Sequence, residues 1–239
     1  MIIILVILAA LAPAAWLLWT IYQKDSDQPE PKKWLAKGFV YGIGSVFLSL
    51  AISMPASMVL GMNIDNQVYS TFVEAVGDAF LLAAIPEEVA KLFMLWLLLR
   101  KNPFFDEHFD GIVYAVCVGL GFAALENVVY LISGIGDGSW IGVGVTRAVF
   151  TVPAHYFFAI LMGYYYSVYY FGIDRSTKSK LMVLVAPILA HGIFDSLLFC
   201  MRIDEVLSGV LMILFIIFFT KLRKRAKMRI EICQNEMYR

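Results

Sequence analysis

Seven ionisable residues, Glu87, Glu88, Lys91, Glu126, His155, His191 and Asp195, lie inside long apolar stretches, where a charged side chain is costly. One acidic or basic residue at the centre of a membrane helix costs about 3 kcal/mol. The group would therefore cost on the order of 10 kcal/mol or more if it faced lipid, so it must face a protein interior or a water-filled cavity. Helical spacing supports convergence: Glu87 and Lys91 are four apart, as are Phe122 and Glu126, and His191 and Asp195, so each pair shares one helix face. Lys91 can neutralise one of two adjacent carboxylates and leave the other as a general base for water. Asp195 can orient His191 by accepting its ring N–H, as carboxylates do around catalytic or metal-bound histidines. Each residue taken alone has a structural reading: Glu87 and Lys91 as an interhelical salt bridge, His155 as a hydrogen-bonded core histidine, Asn127 as interhelical glue. Arg147, near a helix end, is expected to snorkel. One depth on four helices is what the structural account explains poorly.

The elements that carry these residues are membrane spans. Of 239 residues 61% are hydrophobic and only 16% charged, far from the make-up of a soluble domain. Apolar runs near the ~20 residues that cross a bilayer recur throughout and leave no room for a separate soluble domain. They predict an all-α, polytopic transmembrane helix bundle of about seven spans, at 2–22, 36–60, 72–99, 112–133, 140–171, 181–201 and 206–220. The first run lacks the basic start of a signal peptide and is too long for a signal core, so it is taken as a retained span. Pro86 and Pro153 are expected to kink or split their helices, with a re-entrant piece before Pro86 as an alternative. Sixteen of the 19 Lys and Arg fall in loops on one side or in the tail, where Lys221, Arg223, Lys224, Arg225, Lys227, Arg229 and Arg239 lie. Arg202 stands on the other side, and Lys91 and Arg147 lie within spans. The positive-inside rule then places the N-terminus outside and the C-terminus in the cytoplasm. Residues 1–239 read as one membrane domain with a basic cytoplasmic tail at 221–239. That tail suits orientation and anionic lipid contact, not nucleic acid. Cys117, Cys200 and Cys233 have neither metal-type nor disulfide spacing.

The motifs then match a known pattern. Glu87-Glu88-Val-Ala-Lys91 is EExxK, Phe122-Ala-Ala-Leu-Glu126-Asn127 is FxxxEN, His155 precedes an apolar stretch ending in Gly163, and His191-Gly-Ile-Phe-Asp195 is HxxxD. With Asp25, Pro29, Glu30 and Pro31 in the first loop and Asp110-Gly111 opening the fourth span, the chain resembles the PrsW family of intramembrane proteases over residues 16–199. The resemblance implies membership of the broader superfamily that includes CAAX prenyl endopeptidases. This chain departs from that branch at Lys91, where Arg is usual, and at Glu126, where His is usual, which argues against prenyl-protein processing. It also implies a transmembrane protein substrate, of the membrane-anchored anti-sigma-factor class in envelope-stress signalling, and a bacterial or archaeal plasma membrane.

Two mechanisms remain open at this point. In one, Glu87 or Glu88 deprotonates water while His155 or His191 supports the oxyanion or the leaving amine. In the other, zinc is held by His155 and His191 with one or two carboxylates, from Glu126 and Asp195. No HExxH or GxSxG motif is present. The competing classes are an ion-coupled transporter, which also uses intramembrane Glu, His and Asp, and a non-enzymatic scaffold that binds a membrane partner. The oligomeric state is not encoded in any motif.

Overall fold

The computed structural model describes residues 2–26, 28–62 and 68–236; Met1, Asp27, 63–67 and 237–239, with Arg239 of the basic tail, lie outside the described residues. The described chain forms seven successive helical units: α1 (Ile2–Lys24), α2 (Lys32–Leu60), α3 (Phe72–Asp78, Ala79–Ala84 and Ile85–Leu99 in continuous succession), α4 (His108–Ser133), α5 (Trp140–Tyr170), α6 (Thr177–Cys200) and α7 (Glu205–Glu236). No strand occurs among the described residues. Six of the units are long and apolar enough to cross a membrane; α3 is divided into shorter segments. Large apolar side chains such as Trp16, Phe47, Val59 and Val206 cover the outside of the bundle, a surface suited to lipid and not to water.

α4 is the central post. Every residue from 109 to 124 is buried, as expected of a helix that is apolar all round, and α1, α2 and α5 pack against it. Close approach depends on glycine. A Cβ on Gly121 of α4 would overlap the carbonyl oxygen of Phe39 on α2, and one on Gly42 would overlap that of Val118. Further along α4, a Cβ on Gly163 of α5 would overlap the carbonyl of Gly111. α2 presents a buried stripe of small residues, Gly38, Gly42, Ser45, Ser49, Ser53 and Ser57. Such stripes let membrane helices pack backbone to backbone. The Ser45, Ser49 and Ser57 hydroxyls donate to carbonyls one turn back, so none is left unsatisfied in the apolar interior.

Both prolines act as the sequence indicates, by a specific device. A π-helical segment precedes each, at Ala79–Ala84 before Pro86 and at Arg147–Thr151 before Pro153. The amide of Ile85 donates to Phe80 five residues back, and that of Val152 to Arg147. The wider turn absorbs the missing proline N–H and the clash of its ring. The chain before Pro86 stays helical, so the re-entrant alternative does not arise.

The seventh helix continues through the basic segment to Glu236, well past the expected end at 220. Lys, Arg and Glu are good helix formers once a helix is nucleated. Arg229 further ties this extension to α5 by donating to the Tyr165 hydroxyl at 3.0 Å. Gln234 donates to the Lys24 carbonyl at 2.8 Å, which puts the far end of α7 beside the end of α1. At the same face the loop after α1 folds under the start of α4. Asp25 accepts the Glu30 amide at 2.9 Å, Glu30 accepts the Tyr114 hydroxyl, and Asp110 caps α4 by accepting the amides of Asp106 and Glu107. Burial pushes Asp25 up to about 6 and Glu30 up to about 7.

Candidate active site

The two proline-preceded segments position the chemistry. Pro86 sets the start of the α-helical part of α3, and Glu87, Glu88 and Lys91 follow within two turns. Pro153 does the same for α5, and His155 follows. His155 sits 15 residues from either end of Trp140–Tyr170, midway along the helix. π-Helical turns change which way the following side chains face, and both stand immediately before site residues. α6 brings His191 and Asp195, and Gly192 allows the approach: a Cβ there would overlap the Phe80 ring of the π segment in α3.

All seven residues singled out in the sequence come together. Lys91 Nζ lies 2.8 Å from Glu88 Oε1, 3.1 Å from Glu87 Oε2 and 3.2 Å from His155 Nδ1. It also rests 4.0 Å from the centre of the Phe122 ring, so FxxxEN contributes an aromatic face as well as its carboxylate. An ammonium group can only donate, so His155 Nδ1 accepts and the ring proton belongs on Nε2, which faces Glu126 Oε2 at 3.1 Å. His191 Nδ1 lies 2.9 Å from Glu88 Oε1, and its Nε2 lies 3.0 Å from Asp195 Oδ2. The two imidazoles are 5.3 Å apart and nearly perpendicular, and Phe158 stacks on His191.

The carboxylates therefore fall into two groups. Glu126 and Asp195, proposed from sequence as ligands beside the histidines, lie behind the rings and accept or face their Nε2 atoms. Glu87 and Glu88 form the other group, both bonded to Lys91; Glu88 Oε1 meets His191 Nδ1, and Glu87 Oε2 lies 3.9 Å from His191 Nε2. One ligand atom from each of Glu87, Glu88, His155 and His191 falls within 4.8 Å of the others. Two imidazoles and two carboxylates suit zinc. A further observation supports the fit. A neutral His191 has one N–H but meets carboxylate oxygens at both ring nitrogens, so a second positive centre, a proton or a metal ion, is required on its Glu88 side. Glu88, Lys91, His155 and His191 are almost fully buried, whereas the side chains of Glu87, Glu126 and Asp195 keep 15 to 21% of their surface open.

Arg147 does not snorkel. It is buried, with Nη2 2.7 Å from Glu126 Oε2, Nε 2.8 Å from Asn127 Oδ1 and its guanidinium 4.2 Å from the Tyr130 ring centre. Treating its helix in isolation hid this contact; the Glu-Asn pair on α4 was the available signal, since a fork of N–H donors suits such a pair. Asn127 also donates to the Ala10 carbonyl of α1 at 2.7 Å, the interhelical role expected of it.

The family model described as PrsW family intramembrane metalloprotease matches residues 30–222. The chain belongs to the PrsW family. Relatives named Protease PrsW include that of Clostridioides difficile (strain 630), 35% identical over 217 residues that cover 90% of this chain and 87% of the relative. That of Bacillus subtilis (strain 168) is 34% identical over 194 residues, covering 81% and 82%. No solved structure matches the chain. As a PrsW-family member the protein is an intramembrane peptidase, and its fold is a multi-pass helical bundle. The family description as a metalloprotease agrees with the group of two histidines and two glutamates at the centre of the bundle.

Proposed function

We propose that the protein is a zinc-dependent intramembrane endopeptidase that hydrolyses peptide bonds of membrane-anchored proteins, with anti-sigma-factor-like regulators of envelope-stress signalling as the substrate class. The observation that carries the catalytic part is the convergence of the His155 and His191 rings and the Glu87 and Glu88 carboxylates from three helices. The substrate class rests on family membership.

Glu88, His155 and His191 would hold the metal, and a zinc ion there supplies Lewis acidity toward the scissile carbonyl and the attacking water. Glu87, the more open of the adjacent carboxylates, takes a proton from water as its oxygen attacks the carbonyl carbon, then delivers that proton to the leaving amide nitrogen as the C–N bond breaks. Lys91 donates to Glu87 and Glu88 and fixes how they are turned, and it would swing off His155 Nδ1 to leave that lone pair to the metal. Glu126 and Asp195 hold the two rings so that Nδ1 points inward, and Arg147 holds Glu126. The residues act within a single membrane domain in a bacterial or archaeal plasma membrane, with the basic helix ends and the extension of α7 in the cytoplasm.

Reconstitution in vesicles with a transmembrane substrate library tests this reading. Wild type should release cleaved products and carry one zinc per chain; Glu87→Gln should lose cleavage at least 100-fold with zinc retained, and His191→Ala should lose both. Chelation should stop cleavage and zinc should restore it. Full activity in metal-free protein would remove zinc from the mechanism and leave a glutamate-activated water in its place.

A further inference from the structure

A cleft of about 780 Å³ opens on the outside of the bundle between α3, α5 and α6, at the end that carries Arg175 and Lys180. Its volume falls in the ~300–1,000 Å³ range of small-molecule sites. Its walls are apolar and aromatic, including Phe93 and Trp96 from α3, Tyr170 from α5 and Val183 from α6, while Arg175 and Lys180 stand at one end. Among the described residues neither cation has a carboxylate partner within salt-bridge distance. Arg175 lies over Gly172, which takes a positive φ of 80° at the end of α5; a Cβ there would stand 2.9 Å from Arg175 Nε. Lys180 Nζ sits 5.9 Å from the Tyr169 ring centre. The deep wall includes Val89 and Leu92, sequence neighbours of Glu88 and Lys91 on the site helix.

Two free cations at the interfacial end of an apolar, membrane-open cleft require an amphiphile with one anionic end. We propose that this cleft binds one anionic glycerophospholipid, its phosphate between Arg175 and Lys180 and an acyl chain along Phe93, Trp96 and Val183. An apolar helix of another protein would fill the walls but leave both cations unmatched, whereas a phospholipid supplies the phosphate at headgroup depth and the hydrocarbon below it. Basic residues at this face attract anionic lipids in any case; the cleft adds a shape that retains one molecule. The inference stands apart from the peptidase reading, since none of the residues facing the lipid is part of the catalytic group.

The full chain in phosphatidylcholine nanodiscs, doped with phosphatidylglycerol carrying a photoactivatable acyl chain, provides the test. Crosslinks should concentrate on segments 89–96 and 183–184, and unlabelled phosphatidylglycerol should compete while added phosphatidylcholine and inorganic phosphate should not. The double variant Arg175→Gln/Lys180→Gln should lower labelling of those segments at least tenfold, and Lys221→Gln/Lys224→Gln on α7 should leave it unchanged. Labelling spread evenly over Trp16, Phe47 and the other outward residues, without selectivity for the anionic lipid, would overturn the proposal. So would displacement by inorganic phosphate alone, or crosslinks joining two copies of the chain through this cleft. The wild-type competition decides the matter even if the double variant does not fold.

Discussion

Asp195 Oδ2 lies 3.0 Å from His191 Nε2, one helical turn away on the same face of α6. The carboxylate fixes which ring nitrogen points back and which points to Glu88. Carboxylates in this position typically account for 10- to 100-fold in metal affinity or activity. Asp195→Asn is therefore expected to lower zinc affinity and cleavage by about that factor without unfolding the bundle, and Asp195→Glu to recover part of both. Zinc titration beside cleavage assays checks this; unchanged zinc affinity in Asp195→Asn would show that Asp195 does not orient the ring.

Arg147 and Glu126 form the other supporting pair, at 2.7 Å and largely out of water. Breaking a buried pair by removing one partner costs about 3 kcal/mol, because the remaining charge is left uncompensated. Arg147→Met should lower thermal stability and reduce cleavage, and Arg147→Met/Glu126→Gln should be more stable than Arg147→Met. Thermal melts of the four proteins in a double-mutant cycle give the coupling directly. A coupling near zero would mean that the pair is solvent-screened and of little structural weight.

Gly121 and Gly136 differ in what surrounds them. A methyl group on Gly121 would run into the α2 backbone at Phe39, which cannot step aside, whereas Gly136 faces open space. Gly121→Ala should destabilise the bundle by about 1–3 kcal/mol, the usual cost of overpacking, and Gly136→Ala should be close to neutral. Urea or thermal unfolding in detergent separates the two; equal stabilities would mean that α2 and α4 pack less closely than the structure shows.

The loop after α1 should respond to pH. Burial raises Asp25 from 3.8 to about 6 and Glu30 from 4.5 to about 7, with Glu107 and Asp106 adding repulsion and the Glu30 amide, Tyr114 and Asp110 opposing the shifts. A carboxyl group raised on folding stabilises the folded state below its unfolded value and loses that contribution as pH rises through its folded value. Docking of this loop under α4 should be strongest below about pH 4 and weaken progressively from there to about pH 7, beyond which it levels off. Hydrogen-exchange protection of the Glu30 amide, corrected for the intrinsic rate, should fall across that window and flatten in Asp25→Asn. Protection that rises with pH would reverse the assignment.

Seven helices and the seven residues that converge between them were legible in the sequence because the bilayer makes both conspicuous. A span needs about 20 apolar residues, and a charge within one must be turned inward, so Glu87, Glu88, Lys91, Glu126, His155, His191 and Asp195 marked themselves by their cost. The prolines likewise announced broken helices, although the π-helical turns that realise the breaks depend on backbone packing around Phe80 and Arg147. Tertiary structure alone decided that Glu126 and Asp195 meet the histidine Nε2 atoms while Glu87 and Glu88 gather on Lys91. Helical periodicity assigns residues to a face of their own helix, but the rotation of that face toward a neighbour is set by contacts such as Gly121 against Phe39 and Gly192 against Phe80. Arg147 shows the same limit: its helix viewed alone offers lipid headgroups as the nearest refuge for the charge, and only the packing of α5 on α4 places Glu126 and Asn127 within its reach.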